Sequence, residues 1–213
     1  MAATTVPAAA NEKNFASETI AACQSTTDLA SLTDTLTKHG WSVSAPADLD
    51  DRAIRSYAAT FLYNHLGFGD VPDPRIASTW EQAIKNAAGV RNLKQIETSQ
   101  KKDRWFVREQ SGSILRVDSF EHEVHGRLSC LLALKDEDSP FTFQQLLGDN
   151  GRDPQTLPPV YHLRPQSSEG NGLKRSLKGA ILNTERISTV SESHIDVATV
   201  YSTFTSKHME KSE

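Results

Sequence analysis

Apolar residues recur along the chain with two different periods, one in the front and one in the back. From residue 12 to about residue 89 they fall three and four apart, the spacing that lines up one face of a helix. Residues 12–24 carry Ala16, Ile20 and Cys23 on one stripe, and residues 28–39 carry Leu29, Leu32 and Leu36. Thr27 is the expected N-cap of the second span and Gly40 its stop, so the two should form a helical hairpin. Residues 51–65 place Ile54, Tyr57, Ala58, Phe61 and Leu62 together ahead of Gly67. A fourth helix is expected from Asp73 as cap and Pro74 at the first helical position, where its missing N–H costs nothing. Ile76, Trp80, Ala83 and Ala87 then share a face up to Gly89.

After residue 100 the period falls to two. Trp105, Val107 and Glu109 alternate with Phe106 and Arg108, and Ser111-Gly112 turns the chain into Ile114, Leu115 and Val117, which reads as a hairpin. Beyond Gly126, the residues Leu128, Cys130, Leu132 and Leu134 point one way and Ser129, Leu131 and Ala133 the other. A strand apolar on both faces is expected to be central. Ser139-Pro140 followed by Phe141, Phe143, Leu146, Leu147 and Gly148 suggests a short helix, and residues 149–159 a loop. Val160 to Leu163 reads as a brief strand, Gln166 to Gly172 as a polar loop, and 174–188 and 194–206 as two longer strands.

Helices in front and strands behind give an α+β fold with N-terminal helices packed on a C-terminal antiparallel sheet. Residues 1–11 are expected to be a flexible arm. Residues 12–213 are expected to be a single α+β domain, helical over 12–100 and mainly β over 101–213. As the last strand, 194–206 would leave an edge that must be paired, covered or charged, and self-pairing into a homo-oligomer would satisfy it.

Composition narrows the functional classes. The 213 residues carry 23 Lys+Arg against 27 Asp+Glu, a formal charge of -4, without the cationic footprint of sequence-independent nucleic-acid binding. Nucleic acid is therefore not an expected partner. The longest nearly continuous apolar run, Leu128 to Leu134, is too short to span a bilayer. Met1 to Ala10 lacks the basic and apolar regions of an intact signal peptide. Gly67-Phe68-Gly69 follows a helix rather than a strand and lacks a third glycine, so no phosphate-binding loop and no cofactor is expected.

Two cysteines permit one internal bridge, and Cys23 and Cys130 both fall on core-facing positions. Two ordinary buried thiols would satisfy the same pattern. Phe15, the run from Cys23 through Thr26 to Asp28, Leu32, Leu36, Gly40-Trp41, and the later strand Leu128-Ser129-Cys130-Leu131-Leu132 resemble a loose group of small exported proteobacterial proteins of unknown function. The similarity covers residues 12–134 and does not extend to residues 140–213. Members of that group pair a first-helix cysteine with one in a late strand. The resemblance thus implies a Cys23–Cys130 bridge and an oxidising compartment.

Three constellations could carry chemistry. Within Glu121-His122-Glu123-Val124-His125, a strand would set Glu121, Glu123 and His125 on one face, but a solvated polar strand start is the preferred reading of these residues. No zinc-site spacing appears, and no metal is expected. His194 and Asp196 would share a strand face as an oriented imidazole, but no nucleophile elbow accompanies them, and Cys130 is flanked by leucines. Arg164, Lys174, Arg175 and Lys178 bracket the 166–172 loop, with Tyr161 nearby, and could hold an anionic group where loop and sheet edge meet. The competing reading is an edge strand kept soluble by basic residues.

The sequence thus points to a non-enzymatic binding or assembly protein of a bacterial envelope, periplasmic or secreted, whose partner is a protein or a small anionic ligand. The alternatives are a small hydrolase using the His194/Asp196 or Glu121–His125 face, and a cytosolic partner-binding protein with free thiols.

Overall fold

The structure, a computed structural model, describes residues 9–66, 71–123, 125–139, 142–147 and 153–208. Of the arm expected over residues 1–11, residues 1–8 lie outside them, as do the Gly67–Asp70 turn and Pro140, Phe141 and Gly148 of the short helix; residues 9–11 are not part of an arm but the first turn of a helix. In chain order the elements are α1 (Ala9–Ser25), α2 (Leu29–Lys38), β1 (Ser42–Ser44), α3 (Asp51–His65), α4 (Asp73–Ala88), β2 (Lys101–Val107), β3 (Ile114–His122), β4 (His125–Lys135), α5 (Phe143–Leu147), β5 (Val160–His162), β6 (Gln166–Gly170), β7 (Leu173–Leu182), α6 (Thr184–Ser191) and β8 (Val197–His208). All eight strands join one antiparallel sheet, in the order β1-β2-β3-β4-β8-β7-β5, with β6 also paired to β7. This is an α+β fold.

The helix starts differ in detail from expectation. Asp28, not Thr27, caps α2: its carboxylate accepts from the backbone N–H groups of Ala30 and Ser31, and the Ser31 side-chain bond is the main influence holding its pKa below the usual value. Pro72 takes the cap position of α4, leaving the Asp73 carboxylate free to accept from Arg186. Asp50 caps α3 through the Ala53 N–H.

The sheet is buried on both faces over its middle. On one face Ala16, Cys23, Leu32 and Leu36 of α1 and α2 pack on Leu115, Leu128, Leu132 and Tyr201. On the other, Ile54, Ala58 and Leu62 of α3, with α4 and α6, pack on Trp105, Ile114, Ala133, Ala180 and Val200. Strand β4 lies between β3 and β8 and is apolar on both faces because α1 and α2 cover one and α3 the other.

Three back-half expectations need correction. Residues 166–172 are not a loop. Gln166–Gly170 pairs with β7 as a hairpin closed by Asn171-Gly172, both at positive φ (54° and 70°), the conformation an Asn-Gly turn provides. The span 174–188 is not one strand, because Asn183 accepts from the Arg186 N–H and opens α6. Finally, β8 begins at Val197 and is paired on both sides, by β4 and β7. The free edge that motivated self-pairing at 194–206 is therefore absent.

Arg186 ties these later elements to the helical layer. Its side chain is 7% exposed; Nη1 donates to the Leu157 carbonyl at 2.6 Å, and Nη2 donates to the Val71 carbonyl at 3.0 Å and to Asp73 at 2.8 Å.

Candidate functional site

Helix α1 covers the sheet over β4 and β8, and beyond it the same face stays open. The result is a groove of about 620 Å³ between α1, the segment that leads from β5 into β6, and the strands β7 and β8. Its floor and walls are apolar: Ile20 from α1, Leu163 after β5, and Leu177 from β7. Polar groups stand at the rim, with Gln24 on α1, Arg164 between β5 and β6, and Gln166 at the start of β6. Volume and lining suit a small organic ligand.

The α1 wall is fixed at its C-terminal end. Cys23 and Cys130 form a disulfide linking α1 to β4, with a Cα–Cα distance of 6.3 Å. The last turn of a helix leaves carbonyls without intrahelical donors, and here Thr205 Oγ1 donates to the Cys23 carbonyl (3.1 Å) and Arg175 Nε to the Gln24 carbonyl (2.7 Å). Trp41 Nε1 donates to Thr19 Oγ1 at 3.1 Å, a buried link between α1 and the segment after α2.

Tyr201 forms part of the groove floor, and its ring can lie there only because residue 179 is glycine. A Cβ on Gly179 would sit 2.6 Å from Tyr201 Cδ1 and 3.2 Å from the Val200 carbonyl oxygen. Burial raises the Tyr201 pKa above its ordinary value, and a hydrogen bond with Thr199 partly opposes this. The phenol therefore stays neutral at physiological pH. Gly179→Ala is expected to displace the ring and to lower stability by about 1–3 kcal/mol, measurable by denaturant unfolding.

The five basic and aromatic residues singled out from sequence do not converge. Arg164 lines the groove. Arg175 shares that face but serves the α1 terminus and the Gly170 carbonyl. Lys174 and Lys178 alternate with it along β7 and project from the opposite face, with Lys174 Nζ 3.8 Å from Glu169. Tyr161 lies half-buried on β5 with its ring 5.5 Å from Phe143. A strand occupies 166–170, so the basic residues flank a hairpin instead of encircling a loop. Leu177, Gly179 and Tyr201 escaped the sequence reading because their convergence needs β7 and β8 to be neighbours. The alternation of Leu173, Leu177 and Gly179 within a basic strand was the available sign.

The other constellations are also rearranged. His122 and His125 face each other across the β3–β4 hairpin, so Glu121–His125 is not one strand and its acidic and imidazole groups do not share a face. Among the described residues no three His, Cys, Asp or Glu are placed to hold a metal ion. His194 and Asp196 precede β8 in irregular backbone, and the Asp196 carboxylate accepts from Lys135 Nζ at 2.6 Å. Partial desolvation, reinforced by Asp196 and Glu137, raises the pKa of neighbouring Asp136, against the pull of His194 and Lys135. An acid whose folded pKa is raised costs stability once pH rises past its unfolded value. Asp136→Asn should therefore raise the thermal midpoint at neutral pH, and the gain should vanish near about pH 3, where the Asp136 carboxyl is protonated in the folded and the unfolded chain alike.

Comparisons of the chain with family models, curated proteins and solved structures gave no match.

Proposed function

We propose that the protein is a non-enzymatic binding protein of a bacterial envelope, working in an oxidising compartment and holding a small ligand in the groove between α1 and β7. The observation that carries this reading is the groove itself, with its apolar floor of Ile20, Leu163 and Leu177, the cationic Arg164 at its rim, and an α1 wall bonded to the sheet. The ligand it suits has an apolar body and one anionic end, because a guanidinium recognises a carboxylate with charge-assisted hydrogen bonds. Bonded sulfurs support the exported reading over the one with free thiols.

Calorimetric titration with decanoate tests the site. Arg164→Ala should weaken binding about tenfold, Leu177→Lys should abolish it, and decanol should bind less tightly than decanoate. Equal affinity of wild type and both variants would overturn the assignment. Thiol labelling of unfolded, unreduced protein from its native source tests the compartment. No labelling supports export, and two reactive thiols would refute it.

A further inference from the structure

The opposite face of the sheet changes character along its strands. Across β3, β4, β8 and β7, one cross-strand row reads Ile114, Ala133, Val200 and Ala180 and lies buried under the α3 layer. Four residues outward the same row reads Asp118, Ser129, Phe204 and Ser176. Two further on it reads Phe120, Arg127, Ser206 and Lys174. The helical layer stops short of these rows. Phe204 is 40% exposed, and Arg127, Lys174 and Lys178 are exposed. The outer row borders a depression of about 530 Å³.

From this surface we infer a second binding site, for an acidic oligosaccharide lying across β4, β8 and β7. Three features favour that occupant. The first is charge: Lys101, Arg116, Arg127, Lys174 and Lys178 outnumber Asp103, Asp118 and Glu169 on this face, although the chain as a whole is acidic. Arg116 and Lys174 are already met by Asp118 and Glu169, which leaves Lys101, Arg127 and Lys178 to face an incoming anion. The second is the ring at the centre. Phe204 stands partly exposed between Ser129 and Ser176, and a sugar offers an apolar CH face of matching size with hydroxyls around its rim. Arg127 lies over the Phe120 ring at 4.8 Å, which holds the guanidinium beside the platform. The third is the supply of hydroxyls. Ser129, Ser176, Ser202 and Ser206 are each half-buried, so they donate and accept at a flat surface. A platform of side chains over paired strands suits the CH face of a sugar ring, whereas an extended acidic peptide would pair its backbone with a strand edge such as the outer side of β6. The groove is on the other side of the sheet, so the two sites are independent.

The test is titration of the oxidised full chain with a short oligogalacturonate, beside maltooligosaccharide, oligoglutamate and inorganic sulfate. Oligogalacturonate should bind, and more weakly as salt rises. Phe204→Ala and Arg127→Gln should each weaken it about tenfold, and Arg164→Ala in the groove should leave it unchanged. Both altered side chains are exposed, and unchanged thermal midpoints confirm the fold. The inference is overturned if oligogalacturonate does not bind, if Phe204→Ala binds as well as wild type, or if oligoglutamate or sulfate binds as tightly.

Discussion

Reduction of the Cys23–Cys130 bridge is expected to lower the thermal midpoint by about 10 °C or more. The bridge spans 107 residues, and closing a loop of that length removes chain entropy from the unfolded state worth about 4 to 5 kcal/mol. Folded domains commonly have a net stability of only about 5–15 kcal/mol, so this is a large share. Loss should be more than entropic, because the bridge also holds α1 where Thr205 and Arg175 meet its last carbonyls. Cys130→Ala should reproduce the drop without reductant, and reductant should then have no additional effect on that variant. Differential scanning calorimetry with and without reductant checks both. A midpoint unchanged by either perturbation would mean that the bridge does not stabilise this fold.

Arg186→Met is expected to cost about 3 kcal/mol, despite keeping much of the side-chain volume. The guanidinium serves two carbonyls and Asp73 from a nearly inaccessible position, so methionine leaves the Val71 and Leu157 carbonyls without these donors. Asp73→Asn should cost far less. That carboxylate is largely exposed and water can replace it, as with other exposed ion pairs. Urea denaturation of the two variants checks the asymmetry. Equal losses would assign the effect to the ion pair and not to the buried carbonyls.

The fold was most legible where one local period ran uninterrupted. The stripe Ile54, Tyr57, Ala58 and Leu62 became α3, and Trp80, Ala83 and Ala87 became the buried face of α4. Double-sided apolar alternation placed β4 at the centre of the sheet. Local chemistry misled where two residue types compete for one role. Thr27 and Asp28 can both cap, and the carboxylate reached the free N–H groups of α2. The Asn171-Gly172 turn lay within a segment so polar that its flanking strand had no hydrophobic alternation to reveal it. Likewise the strand expected over 174–188 ends at Leu182, because Asn183 supplies an N-cap and opens α6.

The groove was hardly legible, because it depends on which strands are neighbours. Placing 194–206 at a sheet edge gave β8 one neighbour where it has two, β4 and β7, and no local pattern fixed the register that sets Gly179 beside Tyr201. Arg164 was singled out as one of the cations bracketing a loop at the sheet edge, but its neighbours in the groove, Leu163 after β5 and Leu177 on β7, meet through a strand register that no local pattern specifies. The bridge was suggested by core-facing positions and a resemblance, and the sulfurs are bonded.

The central claim is that the groove beside α1 binds a ligand and that the disulfide holds it in shape. Backbone amide chemical-shift mapping of the isotopically labelled protein during a decanoate titration tests it most directly, with the oxidised and reduced forms measured in parallel. The oxidised protein should show saturable shifts confined to α1 around Ser17 to Gln24, to residues 163–166 and 177–179, and to Tyr201. The reduced protein, still folded at low temperature, should bind more weakly. Shifts scattered over other surfaces, or identical binding by the two forms, would contradict the claim.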